Sequence, residues 1–433
     1  MTVTRERLAI NGGPPAKTTP PPPMYPGGMA IGIEEEEAVL EVLRRKRLFR
    51  YYGADDGPSK TAEFEDAFAR HMGAAYARAV CSGTAAITCA LVGAGVGPGD
   101  EVIVPAYTWI ASAAAALAVG AIPILAEVDA SLTLDPDDVR RKITPLTRAI
   151  LPVHMRGAAS DMNALLAVAR EHGLPVVEDV AQADGGSYHG RRLGTIGDVG
   201  AYSLQFNKII TTGEGGMVVS DNRDIWLRAS VYHDPITAGM GRGIDPEEAP
   251  VFPGLNLRAS EFVGAVGLVQ LGRLEGLLEA MRRRKQRIKA AIQGIPGLGF
   301  RTIHDEAGDT GICIIMFLPT AEKAAEFGAA LTAENVPAWH LYRPDHPDFH
   351  VYAHWTSILN KTSSTAAGYP WAPAYYRGTA SYSADMCPRT LDLLGRAVNI
   401  DVNPLYSDED VEQVIAAIHK VADALDVGGA TGG

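Results

Sequence analysis

The sequence predicts an α/β protein. Its larger domain is built on a mostly parallel sheet with helices on both faces, and a smaller C-terminal α+β domain follows. Three observations point there. From about Ala75 to Ser220, short apolar runs alternate with helical patterns, and the runs are apolar on both faces, as doubly covered strands are. A long helical stretch, about Ser260 to Ile292, divides this region from a second set of elements. The chain has 433 residues, 47% of them hydrophobic, which allows one large core and a smaller companion.

Residues 1–30 carry Gly12-Gly13-Pro14-Pro15 and Pro20 to Pro23, which suit neither helix nor interior strand, and they read as an extended arm. A helix follows, about Gly32 to Arg47. It has Glu34 to Glu37 at its start and Arg44 to Arg47 at its end, an order that complements the helix dipole and argues for capping rather than a binding patch. Candidate strands are Glu101–Val104, Ile122–Glu127, Ala149–Val153, Pro175–Glu178, Ala201–Ser203 and Met217–Ser220, with Met162 to His172 among the intervening helices.

Val104 to Ala126 carries no charge and passes a length test for a membrane span. However, Pro105, Thr108, Ser112, Gly120 and Pro123 break it into a loop, a buried Ala-rich helix (about Ile110 to Val119) and a strand. Beyond the long helix, whose Arg282-Arg283-Arg284-Lys285 cluster is expected on its wet face, Gly311 to Leu318 reads as a strand. Ala321 to Glu334 and Asp408 to Leu425 read as helices. Residues 343–385, rich in Pro, Gly, Tyr, His and Trp, read as a long loop, the kind that is functional or mobile. The expected division is an arm at 1–30, a large domain at 31–275, a small domain at 276–427 and a disordered tail at 428–433. No internal repeat is visible.

The net charge of −12 argues against nucleic acid, whose partners need a basic stripe. Cys81, Cys89, Cys313 and Cys387 contain no C-x-x-C pair. They read as buried thiols of a cytoplasmic protein rather than a zinc site or disulfide framework. The first seven residues lack the apolar core of a signal peptide.

Chemistry concentrates around Lys208, in Ser203-Leu204-Gln205-Phe206-Asn207-Lys208, just before Thr212-Gly213-Glu214-Gly215-Gly216. Alone, a lysine near glycines is a solvated surface residue. Upstream, a strand-like run ends in Glu178-Asp179. A lysine amine can hold an aldehyde cofactor as a Schiff base, and an aspartate can keep that cofactor's pyridine nitrogen protonated. Two further motifs support this pair. Cys81-Ser82-Gly83-Thr84-Ala85-Ala86 leads into a helix whose first N–H groups favour an anion, although Ser-Gly-Thr is also an ordinary helix cap. Ser203 could add a phosphate hydroxyl. Pro105-Ala106-Tyr107-Thr108-Trp109 follows a strand, at the sheet end where ligands bind, so Trp109 either stacks on a cofactor ring or fills core. Together these point to pyridoxal 5'-phosphate (PLP). No G-x-G-x-x-G follows the first strand, which disfavours a nicotinamide enzyme. His346, His350 and His354 have four-residue spacing, but Pro344 and Pro347 break any continuous helix there. Contact with sugar hydroxyls is preferred to a metal, and no metal is expected.

With these segments, Leu8–Gly13, Gly97–Pro105, Val153-His154-Met155-Arg156-Gly157, Glu178–Ala183 and Asn256–Glu261, the chain resembles the DegT/StrS-type sugar aminotransferases, a branch of the type I PLP fold. It looks most like members acting on keto-octulosonate sugars, cyclitol ketones and aminohydroxybenzoate precursors. The resemblance implies a mostly parallel seven-stranded sheet in the large domain, and a homodimer with shared active sites. Lys208 would hold the cofactor aldehyde, Asp179 would pair with the ring nitrogen, and Gln182 would sit near the phenolic oxygen. Trp109 would cover the ring face. Ser82, Gly83, Thr84, Ala85 and Ser203 would hold the phosphate, and Asn256 would reach the neighbouring subunit's phosphate. Lys208 speaks against the branch with histidine there, which performs deoxygenation. Asp184 departs from the pattern, since many relatives carry histidine at that place. The implied activity moves an amino group from glutamate or glutamine, through pyridoxamine phosphate, to a keto or aldehyde sugar or a cyclitol in amino-sugar, aminocyclitol or antibiotic biosynthesis. The alternatives are a PLP lyase, dehydratase or cyclase on the same fold, or a non-catalytic PLP-binding regulator.

Overall fold

A computed structural model describes residues 7–55, 57–236, 244, 247 and 252–428, so the tail from residue 429 onward lies outside the described residues. The large sheet takes seven strands: β1 (Tyr76–Val80), β2 (Glu101–Pro105), β3 (Ile122–Ala126), β4 (Thr147–Ile150), β5 (Val177–Asp179), β6 (Val199–Ser203) and β7 (Gly216–Ser220). β2 lies between β3 and β4, and β5 pairs with β6, all in parallel. Parallel bridges from Ile150 to Val176 and from Val153 to Asp179 join β4 to β5. β7 runs antiparallel between β6 and β1. The order is therefore β1-β7-β6-β5-β4-β2-β3, parallel except where β7 intervenes. β1 breaks the apolar pattern because the buried Arg78 sits in its middle. Its guanidinium lies 3.4 Å from Glu65 and donates to the Ser230 hydroxyl at 3.1 Å.

The helices that matter to the site are α1 (Ile33–Arg45), α2 (Lys60–Met72), α3 (Gly83–Gly93), α4 (Ala111–Ala118) and α5 (Glu261–Ile292). α4 is the Ala-rich helix read from the uncharged stretch. Its alanines are largely buried, and no helix among the described residues is long and apolar enough to cross a membrane. In α1, Glu35 both caps the first turn through the Gly32 N–H (2.8 Å) and pairs with Arg273 on α5 (2.8 Å), so the acidic run also docks one helix on another.

The small domain is an antiparallel sheet of β8 (Gly299–Phe300), β9 (Cys313–Phe317), β10 (Ala338–His340) and β11 (Ala397–Asp401), in the order β8-β9-β11-β10. Helices α6 (Ala321–Ala333) and α7 (Asp408–Ala424) contribute to its core. α5 serves both domains: its buried residues up to Met281 belong to the large core, and Ile288 and Ile292 belong to the small one. This changes the reading of the basic cluster, because α5 is enclosed where the two domains meet. Lys285 is buried against Asp309, Arg282 donates to the Asp309 carbonyl (2.7 Å), and Arg284 donates to the Tyr406 carbonyl (2.6 Å). Of the four, Arg283 alone is exposed.

The N-terminal arm docks on the small domain. The Ala9 and Ala16 N–H groups donate to Glu334 (2.8 and 2.6 Å), and the fully buried Lys17 pairs with Asp410. The 343–385 segment is mostly irregular but fixed. Thr108 and Ile110 donate backbone bonds to His350 and Phe349 (2.9 Å each), while Tyr352 and Trp355 are fully buried.

Candidate active site

The carboxyl ends of β2, β5 and β6 meet the N-terminus of α3, which is where a parallel sheet presents a crevice. At the end of β5 the buried Asp179 carboxylate accepts from Ser112 Oγ (2.7 Å) and the Ala181 N–H (3.0 Å). Burial pushes its pKa up, while these two donors and the positive charge of Lys208 oppose the rise. The neighbouring Glu178 anchors the strand end. It accepts from the N–H groups of Gly194, Ile196 and Gly197 (2.6–2.8 Å) and lies 2.9 Å from His154 Nε2. Because the Ser160 N–H donates to His154 Nδ1, the ring proton sits on Nε2 and points at Glu178.

Lys208 follows β6 in a tight turn. Its N–H donates to the Gln205 carbonyl (2.9 Å), and its own carbonyl accepts from Gly27 (3.2 Å). Burial lowers its amine pKa, while the carboxylates of Asp184 and Asp179 pull it back up. Ser82 caps α3 by accepting from the Ala85 N–H (3.1 Å), which leaves the N–H groups of Gly83 and Thr84 without an intrahelical partner. A Cβ at Gly83 would lie 2.6 Å from Ser203 Cβ, so glycine is required for α3 to approach β6 this closely.

Two adjoining cavities result. The first, about 360 Å³, is lined by Ser82, Gly83, Thr84, Trp109, Asp179, Gln182, Ser203 and Lys208. The second, about 530 Å³, shares Gln182, Lys208 and His350 and adds Arg156, Asp184, Trp339, Asp401 and the arm residues Pro21 to Tyr25. Trp109 is 47% exposed, so it does not fill core; its ring lies 5.0 Å from that of His350. Ala85 and Asn256 line neither cavity: Ala85 is buried, and Asn256 is exposed. Sequence reasoning missed Ser112 and Arg156 as site residues and gave His350 only a general expectation of contact with sugar hydroxyls. His350 is aimed by Asp348, whose carboxylate lies 2.8 Å from its Nδ1. Asp184, noted for departing from the family pattern, is fully buried with neither oxygen hydrogen-bonded. No cluster of metal-ligating side chains occurs among the described residues.

The residues present fit a pyridoxal phosphate. A cradle that only glycine permits lies at a helix N-terminus, a buried acid marks one wall, and a lysine of lowered pKa opens onto the same space.

Comparisons with known proteins agree with this geometry. Residues 30–367 match the DegT/DnrJ/EryC1/StrS aminotransferase family. An L-glutamine:2-deoxy-scyllo-inosose aminotransferase of Streptoalloteichus tenebrarius is 36% identical over 78% of this chain and 82% of its own. The spore coat polysaccharide biosynthesis protein SpsC of Bacillus subtilis is 32% identical over 92% of this chain and 96% of its own. Among solved structures, 3-amino-5-hydroxybenzoic acid synthase superposes with a TM-score of 0.77 at 27% identity, covering 94% of this chain and all of that one. The mostly parallel seven-stranded sheet, the lysine–aspartate pair at its carboxyl edge and these similarities have one reading: the chain belongs to the DegT/DnrJ/EryC1/StrS aminotransferase family and is a transaminase of the type I fold.

Proposed function

We propose that the protein is a cytoplasmic, homodimeric, PLP-dependent enzyme that moves an amino group from L-glutamine, or from glutamate, to the ketone of a cyclitol or sugar. The observation that carries this reading is the convergence of Lys208, Asp179 and the Gly83–Ser203 cradle on one cavity. Bound pyridoxal phosphate would supply the aldehyde and the electron-withdrawing ring that acidify the donor's α-hydrogen. Lys208 would hold the cofactor's aldehyde and supply the amine that carries that proton, and burial, which lowers its pKa, favours the unprotonated, basic form. Asp179, fixed by Ser112 and Ala181, would hold positive charge at the ring nitrogen. The N–H groups of Gly83 and Thr84, with the hydroxyls of Ser82 and Ser203, would hold the phosphate, and the half-exposed Trp109 would shield the cofactor from water. Support for the acceptor class comes from the inosose-specific relatives. Four free cysteines fit a reducing compartment; Cys89, Cys313 and Cys387 are buried as expected, but Cys81 is exposed. Exposed apolar residues at the arm and α1, among them Met29, Ile33, Leu40 and Leu43, supply a surface for a second copy. The exposure of Asn256, outside both cavities, supports a role for it in a neighbour's site.

The test is the visible spectrum of PLP-loaded protein before and after glutamine or glutamate. Loss of the Schiff-base band is expected with a competent donor, and Lys208→Ala should show neither that band nor multiple turnover. A band indifferent to every amino donor would overturn the reading.

A further inference from the structure

Arg156 stands in the larger cavity without a carboxylate at ion-pair distance among the described residues, although Asp401 acts on it from farther away. Its backbone is in the left-handed region (φ 47°, ψ 49°), a conformation a bulky side chain adopts only when its surroundings enforce it. Here they do. Its N–H donates to Gln182 Oε1 (3.3 Å), and its carbonyl accepts from Arg301 Nη2 (2.6 Å) and Cys313 Sγ (3.4 Å). The side chain is aimed by one bond, from Nε to the buried Tyr107 hydroxyl (3.2 Å). Among the described residues, neither terminal nitrogen has a hydrogen-bond partner, and no carboxylate lies within ion-pair distance. Arg156 is also the one arginine, and Lys208 the one lysine, among the residues lining either cavity.

We propose that the Arg156 guanidinium anchors a substrate carboxylate beside Lys208. The proposal rests on the aminotransferase reading above and names the group by which that site holds its substrate. An α-amino acid must bring its nitrogen to the lysine's position, and its carboxylate sits one carbon away, inside the same cavity. A guanidinium is permanently charged and presents two parallel N–H donors, the geometry a carboxylate accepts bidentately. Two carboxyl groups already line the cavity, Asp184 and Asp401. Burial pushes both toward their neutral forms, so neither competes fully for the guanidinium.

The carboxylate can belong to the donor or to an acid-bearing acceptor, and two arms separate these sources. In the first, PLP-loaded wild type and Arg156→Met are titrated calorimetrically with glutaramate, which is glutamine without its α-amine, and with uncharged glutaramide. If the donor is the source, the substitution weakens glutaramate about 10- to 100-fold, as loss of a charged hydrogen-bonded pair does, and leaves glutaramide unchanged. Arg156→Lys, which keeps the charge and loses the fork, recovers part of the loss. In the second arm, amine-loaded enzyme is mixed with an acid-bearing ketone or with a neutral keto-cyclitol. A loss confined to the acid-bearing ketone keeps the anchor and assigns it to the acceptor. Equal weakening of charged and uncharged ligands, or no change in either arm, overturns the proposal. Failure of the wild type to react with any amino donor would instead sink the aminotransferase reading.

Discussion

At the scale of single residues, the site mixes groups with visible signals and groups without them. Lys208, Asp179, Gln182, Trp109 and the Ser82–Thr84 turn belong to short contiguous motifs, and all of them line the cavities. Ser112 and Arg156 acquire meaning only through partners distant in sequence, Asp179 for Ser112 and Tyr107 for Arg156, and no local pattern could announce them. His350 stood out by its spacing and is aimed by the nearby Asp348, but only the fold brings it to the Trp109 ring. Asp184 was visible only as a departure, and its burial yields a prediction. An unfolded aspartate titrates near 3.9, whereas burial raises the folded Asp184 pKa well above that value, with Lys208 opposing the rise and Asp179 adding to it. Between those two pKa values the native state holds a proton that the unfolded chain has lost. The associated stability is complete below about pH 4 and drains away as pH rises through the folded pKa. Asp184→Asn removes this dependence. In the apoprotein, the melting temperature of wild type relative to Asp184→Asn, followed up to pH 8, should therefore fall as pH rises above about 4. A constant difference would show that the carboxyl does not titrate in that window.

At the scale of elements, strands were legible where apolar runs were unbroken. β2 to β7 fall within a few residues of expectation, but β1, β8, β10 and β11 were missed; β1 and β11 each bury a polar residue mid-strand, Arg78 and Asn399, and β8 and β10 are only two and three residues long. The basic cluster of α5 misled for the converse reason. A run of four cations suggests a wet face, and only the fold reveals Asp309 and the carbonyls that receive them. Breaking a buried ion pair strands its partner without compensation. Lys285→Met should therefore cost about 3–5 kcal/mol in urea unfolding, whereas Arg283→Met, at an exposed position of the same run, should stay within about 0.5 kcal/mol of wild type. Equal effects would refute the assignment of Lys285 to a buried ion pair with Asp309.

At the scale of the whole molecule, the two-domain outline was readable from composition and period, but the way the domains share parts was not. The expected boundary at 275 falls inside one uninterrupted helix, and the 343–385 segment belongs as much to the large-domain wall as to the chain around it. Assembly belongs to this scale as well. If the apolar surface of α1 joins two copies, Leu43→Glu should shift the sedimentation profile from dimer to monomer. Activity should fall with it, since Asn256 would then have no neighbouring site to complete. A dimer that survives the added charge would place the interface elsewhere.

The arm joins these scales. Its anchors, Glu334 and Asp410, lie on the small domain, while Pro21 to Tyr25 wall the chamber that opens onto Lys208 on the large one. Consecutive prolines make that stretch a stiff strut rather than a slack tether. Tilting the small lobe must therefore push or pull one wall of the reaction chamber, so that its bore becomes a mechanical gauge of the angle between the lobes.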